Sequence, residues 1–244
     1  MSIEFGGVVA VDDVELSVEK GELFSVIGPN GAGKTTLFNV ITGVYTPTKG
    51  KILFGGVDVT HRRADKRVAL GLARTFQELR LFEDMTVHEN VAVSHLWQSG
   101  GNLFEILLGL PRERKLRARS YDVADELIER LGLSHRRDVA AGNLSHGEKR
   151  LVEVARALAL NPRILILDEP TAGLNTPNKI LFVNETLKLL RERVETILLI
   201  EHDMDIVMEV SDRIAVMAHG RKIAEGPPIE IQRNPDVLRE YFGR

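Results

Sequence analysis

The stretch that decides the fold is Leu23-Phe24-Ser25-Val26-Ile27-Gly28-Pro29-Asn30-Gly31-Ala32-Gly33-Lys34-Thr35-Thr36. Its first five residues are mostly apolar and predict a buried strand. The residues after them fit the pattern G-x-x-x-x-G-K-[ST] and lead into a predicted helix from about Lys34 to Thr42, which Gly43 ends. A strand, a glycine-rich turn and a helix in this order favour a functional motif over an ordinary glycine turn.

The glycine-rich turn predicts a phosphate-binding loop. Small residues allow backbone N–H groups to close around phosphate oxygens, and the helix N-terminus adds partial positive charge. We expect Lys34 to reach the outer phosphates of a nucleotide and the Thr35 hydroxyl to bind Mg²⁺. The predicted nucleotide-binding residues of the loop are Gly28, Pro29, Asn30, Gly31, Ala32, Gly33, Lys34, Thr35 and Thr36.

Two carboxylates, Asp168 and Glu169, follow a second predicted buried strand, Ile164 to Leu167. An open parallel sheet binds its ligands at the carboxyl ends of its strands. We therefore expect Asp168 to help hold Mg²⁺ and Glu169 to polarise an attacking water. Paired acids alone are often a solvated turn or a helix cap, but a phosphate loop upstream favours the catalytic interpretation.

Predicted strands and helices alternate along the chain, which indicates an α/β protein with a mostly parallel sheet. The alternating residues Val14 to Glu19 predict a half-buried strand, and Thr196 to Ile200 predict a strand buried on both faces. Between the two later buried strands, Lys179 to Arg191 predict a helix.

The middle of the chain differs from the rest. From Val87 to Gly132 the sequence predicts no buried strand, whereas Tyr121 to Leu131 predict an amphipathic helix. We therefore predict a single domain over residues 1–244 with an inserted helical lobe at about residues 87–160.

Composition excludes several classes of protein. The 244 residues are 43% hydrophobic and 27% charged, which is typical of a packed rather than a disordered chain. With no cysteine, disulfides, thiolate catalysis and cysteine-bound zinc are excluded. The net charge of -3 gives no general attraction to nucleic acid. No apolar run reaches the roughly 18 residues of a membrane span, so we expect a cytosolic chain unless a partner holds it at a membrane.

The segment Leu144-Ser145-His146-Gly147-Glu148, before a helix predicted from about Leu151 to Leu160, resembles the signature motif of the ABC transporter ATPases. That motif is usually Leu-Ser-Gly-Gly-Gln, so His146 replaces a glycine and Glu148 replaces the glutamine. The resemblance implies contact with the γ-phosphate of a nucleotide bound to the opposite subunit. The residues by themselves predict a helix N-cap, with Ser145 and Glu148 forming a capping box. Both interpretations are compatible, because a capped helix N-terminus also attracts anions.

Further positions resemble this family in its usual order. Gln77 resembles the glutamine that senses Mg²⁺ and contacts the membrane partner, and His202 resembles the switch histidine that contacts the γ-phosphate. Phe5 resembles the aromatic residue that stacks on adenine, with a core phenylalanine as the equal alternative. Asn175 stands where the family commonly has aspartate. The resemblance thus implies the catalytic set Glu169, His202, Gln77 and Lys34 and the metal-binding set Thr35, Gln77 and Asp168.

The resemblance covers almost the whole chain and is closest to the ATPases of branched-chain amino acid importers, through segments such as Glu201-His202-Asp203-Met204. It implies a P-loop NTPase core with a mostly parallel sheet, an antiparallel β subdomain and an inserted helical subdomain. It also implies Mg²⁺-dependent ATP hydrolysis at the cytoplasmic face of the inner membrane. The implied partners are a second ABC ATPase subunit, either the same chain or a homologue, two transmembrane permease subunits and, indirectly, an external solute-binding protein.

Other functions are open alternatives. Close relatives in the same branch serve urea and short amides, and a more distant relative extracts lipopolysaccharide, so a different cargo fits the same motifs. An ABC-type ATPase of DNA repair or translation is less favoured, because this chain has neither a long coiled-coil insertion nor two nucleotide sites. A kinase or a GTPase would explain the phosphate loop but not Ser145 to Glu148 and His202. A non-hydrolysing ATP-binding regulator is disfavoured by Glu169.

Overall fold

A six-stranded sheet lies at the centre of the protein in the computed structural model, which describes residues 1–76, 79–100 and 111–242. The strands of the described residues are β1 Ile3–Phe5, β2 Val8–Val11, β3 Leu23–Ile27, β4 Leu53–Phe54, β5 Val57–Asp58, β6 Leu72–Arg74, β7 Ile164–Asp168, β8 Thr196–Ile200, β9 Arg213–Ala218 and β10 Arg221–Gly226. The central sheet has the order β10-β9-β3-β8-β7-β6. Only its β9–β10 pair is antiparallel, and its other pairs are parallel.

Helices cover the sheet. Over the described residues they are α1 Lys34–Thr42, α2 Ala64–Val68, α3 Val87–Gln98, α4 Pro111–Arg130, α5 His146–Ala159, α6 Thr176–Leu181, α7 Leu187–Arg193, α8 Met204–Val210, α9 Pro228–Arg233 and α10 Pro235–Phe242. A π-helical turn, Phe182–Thr186, joins α6 to α7. The helix predicted over 179–191 is thus confirmed as part of a longer helical stretch.

Burial on both faces explains the apolar strands. Every residue of β3 and β8 is buried, as expected for a parallel sheet with helices on each side. Side chains alternate between the faces. On one face Ile166 and Ile200 pack with Leu37 and Phe38 of α1. On the other face, Leu165, Leu167 and Leu199 pack with α5 side chains such as Val152 and Ala155.

Two short antiparallel pairs, β1–β2 and β4–β5, lie outside the central sheet. The predicted strand Val14 to Glu19 is wrong, because the structure has no strand there. Its alternating burial is nevertheless present: Val14 is buried, and Leu16 and Val18 are partly buried against the core beneath α1. The segment makes isolated hydrogen bonds, such as Val14 N to Met1 O at 3.0 Å, instead of a ladder. Burial of every second residue therefore occurs in this segment without pairing to another strand.

The helical region is formed by α3, α4 and α5. Val91 of α3, Ala124 and Ile128 of α4, and Val152 of α5 belong to one buried core. α4 begins ten residues before the predicted Tyr121. The limits of the inserted lobe, about residues 87–160, stay a prediction. None of the helices in the described ranges is long and apolar enough to cross a membrane.

Candidate active site

Three neighbouring strands of the sheet end at the same edge. The phosphate loop follows β3, Glu169 follows β7, and Glu201 and His202 follow β8. Because β8 is paired in parallel with both β3 and β7, the three strand ends are adjacent. The Glu169 N–H donates to the Ile200 carbonyl at 2.9 Å, which joins two of the connections directly.

Glycine is required at both ends of the loop by close packing. A Cβ on Gly28 would lie 2.1 Å from the carbonyl oxygen of Met217, and a Cβ on Gly33 would lie 2.5 Å from that of Ala10. Both residues also have positive φ angles, 153° and 94°. Any other residue would push the loop away from the sheet, so these glycines set where the backbone N–H groups lie.

Lys34 lies inside the loop rather than in solvent. It is 8% exposed, and its Nζ donates to the Gly28 carbonyl at 2.6 Å and the Pro29 carbonyl at 3.0 Å. Burial lowers the pKa of Lys34, and the negative charges of Glu169 and Asp168 partly oppose this shift. A phosphate in the loop would add negative charge beside the ammonium group and favour its charged form.

The two acids after β7 lie in different environments. The Asp168 side chain is 4% exposed and its Oδ2 accepts from Arg74 Nη2 at 2.6 Å. The Glu169 side chain is 22% exposed, and its Oε2 lies 3.9 Å from Nδ1 of His202. Glu169 also has a φ of 47°, which is uncommon for a residue other than glycine. Asp168 is therefore buried against Arg74, whereas Glu169 is partly exposed and lies beside the exposed His202.

Glu201 is a buried carboxylate behind these groups. It is fully buried, and its Oε1 accepts from both the N–H and the hydroxyl of Thr171, at 3.0 and 2.7 Å. Its Oε2 accepts from the His202 N–H at 3.1 Å. The carboxylate thus joins the turn after Glu169 to the residue that carries the imidazole.

An open cavity of about 590 Å³ lies at this edge. The loop from Asn30 to Thr36, Glu169, residues Val8 to Ala10 of β2, and the turn at His219 and Gly220 line it. Most of the residues that line the cavity are therefore residues that the sequence predicts to bind a nucleotide.

The segment at the start of α5 is built by local hydrogen bonds. Ser145 is the N-cap of α5: its hydroxyl accepts from the Glu148 N–H at 3.3 Å, and Glu148 Oε2 accepts from the Ser145 N–H at 2.8 Å. The predicted capping box is confirmed. Burial opposes ionisation of Glu148, but hydrogen bonds from Ser145 and Arg136 outweigh it and lower its pKa to about 2.

His146 and Gly147, which follow Ser145, face the connection after Glu169. The His146 Nε2 lies 3.2 Å from the Ala172 carbonyl and must carry the proton to donate there. A Cβ on Gly147 would lie 3.2 Å from the Asn178 Nδ2. His146 thus contacts the turn that carries Glu169 of its own chain.

Comparison with known proteins agrees with this geometry. A family model described as ABC transporter matches residues 11–172. The chain belongs to the ABC transporter family.

Relatives and solved structures of this ABC ATPase match it over nearly their full lengths. The chain is 44% identical to the high-affinity branched-chain amino acid transport ATP-binding protein LivG of Escherichia coli strain K12, covering 100% of this chain and 95% of LivG. A crystal structure of the ADP conformation of MJ1267, an ATP-binding cassette of an ABC transporter, is 35% identical with a TM-score of 0.83, covering 100% and 96% of the two chains. A dimeric post-hydrolysis structure of the cassette MJ0796 with ADP and Pi is 25% identical with a TM-score of 0.76, covering 93% and 95%.

Not every predicted residue lies at the cavity of the ABC ATPase. Gln77 lies outside the described residues. The Phe5 ring packs edge-to-face on Tyr45, with 5.1 Å between centroids, and does not line the cavity. Its stacking on adenine stays a prediction. Asn175 is the N-cap of α6, and its side chain accepts from the Asn178 N–H at 3.0 Å.

The chain's donors fit a Mg²⁺ ion bound together with a nucleotide. Thr35 is exposed at the start of α1, and Asp168 offers a carboxylate at the end of β7, which β8 separates from β3 in the sheet. Magnesium usually binds through one or two such protein oxygens together with the phosphates. Thr35 and Asp168 would therefore hold the ion.

Two residues that the sequence analysis did not select contribute to this edge. Arg74 pairs with Asp168 across 94 positions of sequence, and Glu201 bonds Thr171 across 30. Glu201 directly follows the predicted strand Thr196 to Ile200, so its position at the ligand-binding edge was an available signal. Arg74 ends β6, a strand that the sequence did not predict, so no such signal was available for it.

Proposed function

We propose that this ABC ATPase drives the uptake of branched-chain amino acids by hydrolysing ATP for separate permease subunits. The observation that carries the proposal is the 44% identity to LivG over the full chain. The match covers the phosphate loop, the acid pair after β7 and the segment at the start of α5, together with the rest of the chain.

For the chemistry, we propose that the loop and Lys34 hold the phosphates while Glu169 acts on the attacking water. Glu169 is the carboxylate that lines the cavity. It would accept a proton as the water attacks the γ-phosphorus, and the bond to the leaving ADP oxygen would break. His202, 3.9 Å from Glu169, would orient the water or a γ-phosphate oxygen. Mg²⁺ would supply polarisation of the phosphate oxygens, and Gln77 is proposed to sense it.

We also propose that each site is completed by the opposite subunit of an ATPase pair. Ser145 is exposed at the N-terminus of α5, where partial positive charge favours an anion. The proposed trans segment is Leu144, Ser145, His146, Gly147 and Glu148. The dimeric MJ0796 structure supports pairing in this family. The second subunit would be another copy of this chain or a homologue.

Transport requires proteins other than this chain. The proposal places the ATPase pair on two transmembrane permease subunits at the cytoplasmic face of the membrane, with a solute-binding protein acting indirectly from outside. Closure of the pair around two ATP molecules would then be transmitted to the permeases, and hydrolysis would reopen it.

The test is uptake by cells that encode this chain and lack other importers for these solutes. Deleting the subunit should abolish ATP-driven uptake of labelled leucine, isoleucine and valine. Wild-type chain supplied on a plasmid should restore uptake, whereas Glu169→Gln supplied at the same level should not. Unchanged uptake of all three amino acids, with lost uptake of urea, an amide or another solute, would contradict the cargo and leave the ATPase activity standing.

A further inference from the structure

We propose that Arg74 is a positioning residue for Mg²⁺: it holds Asp168 and the phosphate-loop helix α1 together so that the two metal-binding oxygens lie at a fixed separation. This inference rests on the proposed Mg²⁺ site at Thr35 and Asp168. The predicted metal ligands lie on different elements, so their separation is set by whatever joins β7 to α1.

The strand register brings Arg74 to Asp168. Arg74 is paired with Ile166 in the parallel β6–β7 ladder, and Asp168 is two residues further along β7, on the same face as Ile166. A long side chain can reach such a diagonal neighbour. Arg74 Nη2 donates to Asp168 Oδ2 at 2.6 Å, with side-chain exposures of only 7% and 4%.

The same guanidinium also binds the helix that begins at Lys34. Arg74 Nη1 donates to Asn39 Oδ1 at 2.7 Å and to Thr42 Oγ1 at 3.3 Å. Asn39 and Thr42 are three positions apart and therefore lie on one face of α1. One planar group thus bridges the helix that carries Thr35 and the strand that carries Asp168.

The chemistry of arginine suits this role. The guanidinium keeps its charge under all ordinary conditions, and its donors point in fixed directions. Engaging one carboxylate oxygen of Asp168 leaves the other available to a metal. The partners that orient carboxylate ligands affect metal affinity strongly, typically by about 10–100-fold when they are removed.

Arg67 provides a matched comparison. It is also a buried arginine, 1% exposed, that bonds α1: its Nη1 donates to the Val40 and Ile41 carbonyls, both at 2.6 Å. Its other hydrogen bonds among the described residues also go to backbone carbonyls, those of Arg62 and Thr60, and not to a carboxylate of the site. A change at Arg67 therefore disturbs the same helix without touching Asp168.

The experiment measures ATP binding by the purified chain, by calorimetry, in excess EDTA and in excess Mg²⁺. The readout is the ratio of the two dissociation constants, which reports how much the metal strengthens binding. Arg74→Lys keeps the charge but cannot bridge Asp168 and Asn39 together. We expect its affinity in EDTA to stay close to wild type and its Mg²⁺ enhancement to fall by about tenfold or towards none.

Controls separate positioning from general damage. Arg67→Lys should lower the thermal midpoint without lowering the Mg²⁺ enhancement. If Arg74→Lys does not fold, Asn39→Ala removes one arm of the bridge and should give a smaller fall in the same ratio. An unchanged enhancement in the folded variant, or an equal fall in Arg67→Lys, would overturn the proposal.

The variant Asp168→Asn tests the Mg²⁺ site separately from the role of Arg74, which depends on that site. Loss of enhancement in Asp168→Asn with full enhancement in Arg74→Lys would refute only the role of Arg74. Full enhancement in Asp168→Asn would refute the Mg²⁺ site itself, and the role of Arg74 with it.

Discussion

The sheet edge that carries the phosphate loop and the start of α5 are built in opposite ways. At the sheet edge, Lys34 and Asp168 are buried, and the contact from Arg74 to Asp168 spans 94 residues of sequence. At the start of α5, Ser145 is exposed and its capping contacts span three residues. The sheet edge therefore depends on contacts between distant parts of the chain, whereas the Ser145 cap depends on a single turn of helix.

This difference fits two different tasks. A buried group cannot reach a second subunit, whereas an exposed, locally fixed helix N-terminus can present its N–H groups outward in a defined direction. The sheet edge would bind nucleotide within its own chain, and the start of α5 would contribute to the site of another. His146 joins the two regions, because its Nε2 lies 3.2 Å from the Ala172 carbonyl in the connection after Glu169.

The largest expected effect is the loss of turnover in Glu169→Gln. Glutamine keeps the shape of the side chain but cannot accept a proton from water, so turnover should fall by roughly 10²–10⁴-fold while ATP affinity is retained. Steady-state ATPase rates and equilibrium binding measure the two effects. Glu209→Gln, on the exposed face of α8, is the control and should leave both values unchanged. Wild-type turnover in Glu169→Gln would exclude that carboxylate from catalysis.

The second prediction tests whether the sheet edge of one chain works together with the start of α5 of another chain. Lys34→Ala damages the sheet edge and Ser145→Arg damages the start of α5, so each variant alone should have little activity. If sites form across two copies, random mixing should restore up to about a quarter of wild-type ATPase activity, because half of the pairs are mixed and each has one intact site of two. Activity no higher than that of the separate variants would indicate a different partner ATPase or a site within one chain.

A smaller effect concerns the charge of Glu148. Its folded pKa of about 2 lies below its ordinary value of 4.5, so its ionised form stabilises the fold above about pH 4.5 and this stabilisation is lost as the pH falls towards 2. Glu148→Gln retains a capping acceptor for Ser145 but loses the charge that pairs with Arg136. It should be less stable than wild type near neutral pH by roughly 1–3 kcal/mol, because each unit of pKa shift corresponds to about 1.4 kcal/mol.

Urea unfolding of both proteins at stepwise lower pH measures this difference. The gap between the two free energies of unfolding should shrink over the acid range and approach zero near pH 2. A gap that is independent of pH would show that Glu148 acts through its shape rather than through its charge.

The same contrast between local and long-range contacts explains which parts of the structure could be predicted from the sequence. The strand Leu23–Ile27, the helix from Lys34 to Thr42 and the Ser145 capping box follow from neighbouring residues, and the structure has all three. The pairing of Arg74 with Asp168 depends on strand order and register, which no local pattern encodes. The alternating burial of Val14 to Glu19 was predicted correctly, but its pairing was not, because pairing requires a partner strand elsewhere in the chain.

The smallest expected effect is at Asn175, where the family commonly has aspartate. Asn175 caps α6 by accepting from the Asn178 N–H, and asparagine and aspartate cap helices about equally well. Aspartate would add a favourable interaction with the helix N-terminus. Asn175→Asp should therefore stay within about 0.5 kcal/mol of the wild-type free energy of unfolding, whereas Asn175→Ala should lose about 1 kcal/mol. Urea unfolding measures both. Equal losses of stability in the two variants would mean that the geometry of this connection depends on the amide group of Asn175 itself. The distinction between a sheet edge built by long-range contacts and a cap built by local ones would then fail at this connection, where the two regions meet.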